Sequence, residues 1–302
     1  GSAARDLGDG SYGAAYHVVL GARNATLDGF TVTGGAANGD SAAERVGGGM
    51  YIAGPEASTT VARVVFEGNT AGDGGGLYCA YARPSLTQCR FVSNAAGERG
   101  GGLYCLAAQP VLTNCSFSEN RAASAGAGLY CAASTLVLAT CTFSENTAEG
   151  DTARGGAVYA DACFLGFADS TFSKNAAYDG AGVYNLASTV TFDSCLFSQN
   201  VASNSGGGVC NRDSSPQFAA CTFTENEAQL GGGVCNVNAS PVLADCSFSL
   251  NSAFNGGGVY SDIEETVGEG EGEGEGEGAA PAEASPVLLR CSLPEHTTEG
   301  NG

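Results

Sequence analysis

Apolar residues come along this chain in short alternating runs, and the runs recur at a fixed spacing. The most regular run is three glycine-like residues, an aliphatic residue, then usually Tyr or Cys, from Gly47-Gly48-Gly49-Met50-Tyr51 to Gly256-Gly257-Gly258-Val259-Tyr260. Its aliphatic position falls at Met50, Leu77, Leu103, Leu129, Val158, Val183, Val209, Val234 and Val259, so the copies lie 25–29 residues apart. Each period holds a second run: aliphatic or Phe, two residues, Cys, one residue, Phe, two residues, Asn. It reads Leu86-Cys89-Phe91-Asn94, Leu112-Cys115-Phe117-Asn120, Leu138-Cys141-Phe143-Asn146, Phe167-Ser170-Phe172-Asn175, Phe192-Cys195-Phe197-Asn200, Phe218-Cys221-Phe223-Asn226 and Leu243-Cys246-Phe248-Asn251. Val61-Val64-Phe66-Asn69 is an earlier copy without Cys, Leu27-Phe30-Val32-Gly35 a degenerate first copy and Leu288-Cys291-Leu293 a truncated last one. About ten units fill residues 16 to 293.

A fixed period of this length means a stacked-repeat architecture. Spacing such as Cys89-x-Phe91 is the period of two expected of strands. Glycine-rich stretches forbid the helices that leucine-rich, ankyrin and tetratricopeptide repeats need, and a propeller blade needs a period of about 40 residues. Two or three short strands with turns do fit. The fold expected is all-β, a right-handed parallel β-helix (a solenoid) of about ten coils, the hand being that of parallel crossovers in general.

Stacked coils lie ~4.8 Å apart, so equivalent residues form ladders along the axis. Phe66, Phe91, Phe117, Phe143, Phe172, Phe197, Phe223 and Phe248 are expected to stack in the interior. Asn69, Asn94, Asn120, Asn146, Asn175, Asn200, Asn226 and Asn251 are expected at a bend, bonding amide to amide and adopting the left-handed conformation there. The glycine triplets would supply positive φ and close backbone approach. Whether the aliphatic residue or the Tyr after it points inward is left open by the alternation.

The thirteen cysteines show no Cys-x-x-Cys metal spacing. Cys79, Cys105, Cys131, Cys210 and Cys235 follow the glycine run, and each has a second cysteine ten or eleven residues on: Cys89, Cys115, Cys141, Cys221 and Cys246. This co-occurrence favours disulfides within a coil; the alternative is a set of buried free thiols. Cys163, Cys195 and Cys291 are left over, and an odd total leaves one thiol unpaired or intermolecular.

The paired signatures, for example Gly100-Gly101-Gly102-Leu103 with Phe117-Ser118-Glu119-Asn120, resemble those of the chlamydial polymorphic outer-membrane proteins and of bacterial surface β-helix repeats. The resemblance spans residues 24–262 and implies a secreted or surface-exposed passenger, adhesive or structural. No translocator barrel follows in this chain, so the likeness is to the repeats alone.

Composition narrows the partners. A formal net charge of −20 over 302 residues, with Lys174 the one lysine, argues against nucleic acid and anionic membranes. The start has neither the charged nor the apolar region of a signal peptide, and no apolar run is long enough for membrane insertion. The organisation expected is 1–15 an N-terminal segment or partial cap, 16–263 the coils, 264–285 an acidic Gly-Glu loop, and 286–302 the last coil and tail. No cofactor is expected beyond Ca²⁺ drawn diffusely to acidic loops; an EF-hand or nonapeptide Ca²⁺ repeat is missing.

Of the non-repeating charges Asp73, Arg99, Asp151, Arg154, Asp179, Arg212 and Asp213, four (Asp73, Arg99, Arg154 and Asp179) just precede a glycine run and could line one edge, either as a site or as solvation of the turns. His17 and His296 lie near opposite ends, and no Gly-Lys-Ser/Thr follows the glycines. The leading expectation is therefore an extracellular or cell-surface structural or adhesive protein, non-catalytic, that self-associates head to tail through its coil ends. The alternatives are a polysaccharide lyase or hydrolase of the β-helix type and a carbohydrate- or host-binding surface passenger.

Overall fold

The computed structural model describes residues 16–263 and 286–293, and the backbone alone of the strands Ala4–Asp6, Tyr12–Ala14 and His296–Thr298. The acidic tract 264–285 lies outside the described residues. So does the segment 1–15 apart from its two strands, which pair antiparallel.

One coil shows how the repeat becomes structure. After Gly74, at φ +67°, the chain runs through the strands Leu77–Ala80, Ser85–Thr87, Arg90–Val92 and Ala95–Arg99, then reaches Gly100, again at φ +67°. The strands are separated by single residues in the left-handed region: Tyr81, Gln88 and Ser93 at φ 54°, 54° and 51°. Copies of the four strands pair in parallel from coil to coil. Among the described residues they form three ten-stranded walls and one nine-stranded wall, the architecture the period implied. Register sets like on like: Leu77 on Leu103 on Leu129, Phe91 on Phe117 on Phe143. We name the walls in chain order for their typical residues, the tyrosine, leucine, phenylalanine and alanine walls.

The open question of orientation is settled by burial. Leu77, Leu103, Leu129, Val158, Val183, Val209 and Val234 point into the main core; Tyr104, Tyr130, Tyr159 and Tyr184 belong to a second cluster on the outer side of the same wall. The phenylalanine ladder fills the interior as expected, with centroids 4.6–5.2 Å apart and rings within 9° of parallel. Phe167, Phe192 and Phe218, in the leucine column, stack on each other and meet this ladder edge-on.

The asparagine ladder is fully buried, and each amide before the last rung is fully bonded. Asn146 Oδ1 accepts from the backbone N–H and Nδ2 of Asn120 at 3.1 and 2.9 Å. Its Nδ2 donates to Phe117 O and Asn175 Oδ1 at 3.0 and 2.9 Å. Both lone pairs and both N–H bonds of the amide are thereby used. One expectation needs correcting. The left-handed residue at this corner is not the asparagine but the one before it: Gly68, Ser93, Glu119, Glu145, Lys174, Gln199, Glu225 and Leu250. The asparagine is held inward by four hydrogen bonds, so the reversal falls on its outward-pointing neighbour. A non-glycine residue there costs about 1–2 kcal/mol, a strain that persists because the ladder fixes the chain on one side of it.

The glycine triplet divides its labour. Its first member carries the positive φ in every copy. The third sits against the neighbouring coil: a Cβ on Gly102 would lie 2.6 Å from Gly128 O and 3.0 Å from Phe117 Cδ1.

Asn146→Leu keeps the volume but leaves the backbone N–H and one of the two Nδ2 hydrogens of buried Asn120 without an acceptor, the other still reaching Phe91 O. At about 1–3 kcal/mol for each unsatisfied group, chemical denaturation should show a loss of ~3 kcal/mol or more. Ser144→Ala, on the outer face of the adjacent strand, should lie within ~0.5 kcal/mol of the parent.

Candidate functional site

Asp73, Arg99, Arg154 and Asp179 do line one edge. They occupy one register column at the end of the alanine-wall strands, in the order Val46, Asp73, Arg99, Ala125, Arg154, Asp179. The column is sorted by charge. Arg99 holds Asp73 with both arms of its fork, Nη2 to Oδ2 at 2.9 Å and Nε to Oδ1 at 3.1 Å. Arg154 Nε lies 3.4 Å from Asp179 Oδ2. Small Ala125 separates the two pairs.

These pairs lie over a column that the sequence reading left unassembled. Tyr51, Tyr78, Tyr104, Tyr130, Tyr159 and Tyr184 stack face to face at 4.9–5.6 Å, with His17 on Tyr51 at 5.2 Å. The Arg99 guanidinium stands 5.3 Å from the ring centres of both Tyr104 and Tyr130, and Arg154 stands 5.2 Å from that of Tyr184. Cation–π attraction thus adds to the ion pairs. Burial pushes Tyr78 and Tyr184 up to about 12, and raises Tyr104 and Tyr159 above the ordinary phenol range. For Arg99, burial would lower the pKa, but the Asp73 carboxylate outweighs it and keeps the guanidinium charged. Chemically, the column is a stitched seam: every carboxylate in it faces an arginine, and no two carboxylates face each other across a gap as acid and base catalysis by a pair would need.

Of the remaining charged candidates, Asp151 and Asp213 stand apart from the column, while the charge of Arg212 acts on Tyr184. Asp151 lies beside the alanine wall, where Thr147, Ala148, Ala177 and Tyr178 border a shallow open trough. Arg212 ends a tyrosine-wall strand, and Asp213 turns the next corner, accepting from Asn238 Nδ2 at 3.3 Å. Among the described residues no group of three or more His, Cys, Asp or Glu side chains comes together as a metal site would require.

The cysteines depart from the expected coil-internal pairs. No two of the thirteen sulfurs lie at disulfide-bonding distance, and twelve of the cysteines are buried. Counted from the aliphatic residue, Cys79, Cys105 and Cys131 stand two positions on and point into the main core. Cys210 and Cys235 stand one position on, take the place of Tyr184, and lie in the outer cluster. Their supposed partners Cys221 and Cys246 are in the main core, so Cys210–Cys221 and Cys235–Cys246 are separated by the strand itself. The pairs Cys79–Cys89, Cys105–Cys115 and Cys131–Cys141 place one thiol on the tyrosine wall and the other at the corner between the leucine and phenylalanine walls.

Two further columns went unread. Asn185, Asn211 and Asn236 take over the interior position of Cys131 and Ala160 and form a second buried amide ladder, with Nδ2 to Oδ1 distances of 2.8 and 2.9 Å. Its signal was the repeated aliphatic-x-Asn of Val183-Tyr184-Asn185 and its two successors. The floor of the alanine wall is Ala71, Ala96, Ala122, Ala148, Ala177, Ala202, Ala228 and Ala253, all buried, each two residues after a ladder asparagine.

Comparison with known proteins places these observations. The family model described as right handed beta helix region matches residues 18–197, more than half of the chain. The Chlamydia polymorphic membrane protein repeat matches residues 194–212, which hold Cys195-x-Phe197, Asn200 and the glycine run before Val209. No curated protein matches the chain. Among solved structures, the crystal structure of the periplasmic alginate epimerase AlgG is similar with a TM-score of 0.44 and 10% identity, over 97% of this chain and 80% of that one.

The buried phenols set an alkaline limit. Their folded pKa values lie above the ~10 of an unfolded tyrosine, so they leave stability intact below pH ~10 and remove it as pH rises through about 12. In an alkaline titration, tyrosinate absorbance from Tyr78, Tyr104, Tyr159 and Tyr184 should rise together with loss of the far-ultraviolet β signal. Ionisation of these four with the β signal intact would contradict their burial.

Proposed function

The chain belongs to the right-handed β-helix family, and from that footing we propose that it is a secreted or cell-surface scaffold, structural or adhesive and without a catalytic centre, whose coils stack head to tail between copies. The observation that carries the proposal is at the two ends of the stack. At one end Phe30 heads the column continued by Val64 and Cys89, and is 59% exposed. At the other, Leu288 follows Leu243 and Leu293 follows Phe248 by one coil, and they are 39% and 44% exposed. Both ends therefore leave apolar positions of the core columns exposed, although Val32 of the first coil is buried. A second copy placed in line would continue the open columns, Leu288 onto Leu27 and Cys291 onto Phe30, while strand edges gain partners. Such contact joins different surfaces of the two copies, and repeated it gives an open filament.

The charged column supports the same reading. Polysaccharide cleavage asks for carboxylates free to meet substrate, whereas Asp73 and Asp179 are each held by an arginine. The formal charge of −20 opposes association at low salt and fades as ions screen it.

Sedimentation and electron microscopy should show single rods at low salt and rods in line at higher salt and concentration. Leu288→Glu with Leu293→Glu should keep the β signal and thermal unfolding of the parent and remain single rods throughout. A parent protein that stays single under every condition overturns the proposal. So does a double variant that associates as the parent does.

A further inference from the structure

The thiols are stacked along the axis, and the grouping is specific. Cys79, Cys105 and Cys131 are successive register partners on the tyrosine wall, and Cys131 meets Cys163 of the following coil. Cys89, Cys115 and Cys141 share one inner corner, each thiol reaching back to a carbonyl of the coil before, those of Val61, Leu86 and Leu112, at 3.4, 3.5 and 3.8 Å. Ser170 interrupts that corner, its hydroxyl accepting from the Cys141 N–H at 3.1 Å. Cys195, Cys221, Cys246 and Cys291 then resume it, bonded to the carbonyls of Phe167, Phe192, Phe218 and Leu243. Cys210 and Cys235 are register partners in the tyrosine column. The thirteen cysteines thus fall into groups of four, three, four and two.

We propose that this chain is stapled from coil to coil by six disulfides: Cys79–Cys105, Cys131–Cys163, Cys195–Cys221, Cys246–Cys291, Cys210–Cys235 and one pair among Cys89, Cys115 and Cys141. One thiol remains, and it belongs to the corner group that Ser170 cuts short. Register partners and corner equivalents on adjacent coils are about 4.8 Å apart at Cα, inside the window of about 4.4–6.8 Å that a disulfide spans without moving the backbone; Cys163 lies three residues past Ala160, the register partner of Cys131, and reaches Cys131 thiol to thiol. Each bond closes a loop of one coil, which restricts the unfolded chain while leaving the stack in register.

The chemistry is thiol–disulfide exchange with an oxidised small-molecule disulfide, glutathione disulfide being the probe. One cysteine thiolate attacks it and releases one glutathione thiol. The second cysteine attacks the mixed disulfide and releases the other, so the two cysteine electrons and protons end on two glutathione thiols. Access orders the bonds. Cys291 alone is partly exposed, and its neighbour Cys246 is drawn down to about 7, first by the hydrogen bond from Cys221. Cys246–Cys291 can therefore close in the folded rod, whereas the buried pairs close while the coils are still forming.

The test is refolding of the full chain in a glutathione redox buffer, then alkylation under denaturing, non-reducing conditions and peptide mapping. The expected result is one alkylated cysteine of the thirteen, with linked peptides joining successive coils. Coil-internal links such as Cys79–Cys89, or a higher thiol count, overturn the proposal. Ser170→Cys restores the broken corner and gives Cys141 a partner in the following coil; the free thiol count should fall from one to zero, and a rise to two overturns the grouping. Brief oxidation of the already folded reduced protein should link Cys246 to Cys291 first. A different first bond overturns the order of access.

Discussion

The constraint on which everything else depends is the backbone hydrogen bond between successive coils. It sets the rise at ~4.8 Å and the register at zero offset, so every residue is packed against its own equivalent above and below. A position in the repeat can only be filled by a group that tolerates its own copy at that distance. Phenylalanine and tyrosine rings do so by stacking. A primary amide does so because it carries two donors and two acceptors and can satisfy itself indefinitely. Thiols and alanine methyls do so because they are small. A charge held partly out of water cannot, and the half-buried charged column accordingly sets opposite signs side by side, Asp73 with Arg99 and Arg154 with Asp179. Like charges stack only where water reaches them, as Glu119 on Glu145 beside Lys174.

This rule explains which features were legible in the sequence. The period, the strand spacing, the phenylalanine interior and the asparagine ladder could be read because each recurs as the same letter at the same offset. The charged edge could be read because four residues precede the same landmark. What escaped involves a change of letter or of offset by one. Cys210 and Cys235 looked like further copies of Cys79, yet a shift of a single residue turns a strand side chain to the opposite face. The orientation of Leu77 and Tyr78 was undecidable because both faces of their wall are buried, one under the core and one under the charged column, so alternation carried no contrast. The left-handed corner was assigned to the asparagine from its intrinsic tolerance. Its hydrogen bonds take precedence and move the reversal to Ser93, Glu119 and their equivalents.

The distribution of polarity bears on function. The interior is occupied by self-satisfying columns, and the half-buried charged edge is consumed in pairs that tie one coil to the next. Among the described residues, the first and last coils expose apolar members of these columns, Phe30, Leu288 and Leu293. In a globular enzyme the unusual residues gather in a cleft. Here the unusual feature is periodicity itself.

The asparagine ladder has one more property. Between rungs, Nδ2 always donates to the amide of the higher-numbered coil and Oδ1 accepts from that of the lower-numbered one. The amides all point the same way, so the rod is an arrow, with a tip chemically unlike its tail. Two arrows meeting tip to tip would oppose donor to donor along the buried seam. Any assembly that keeps this seam intact must inherit a direction, and anything that travels along it or grows from it would distinguish forward from backward.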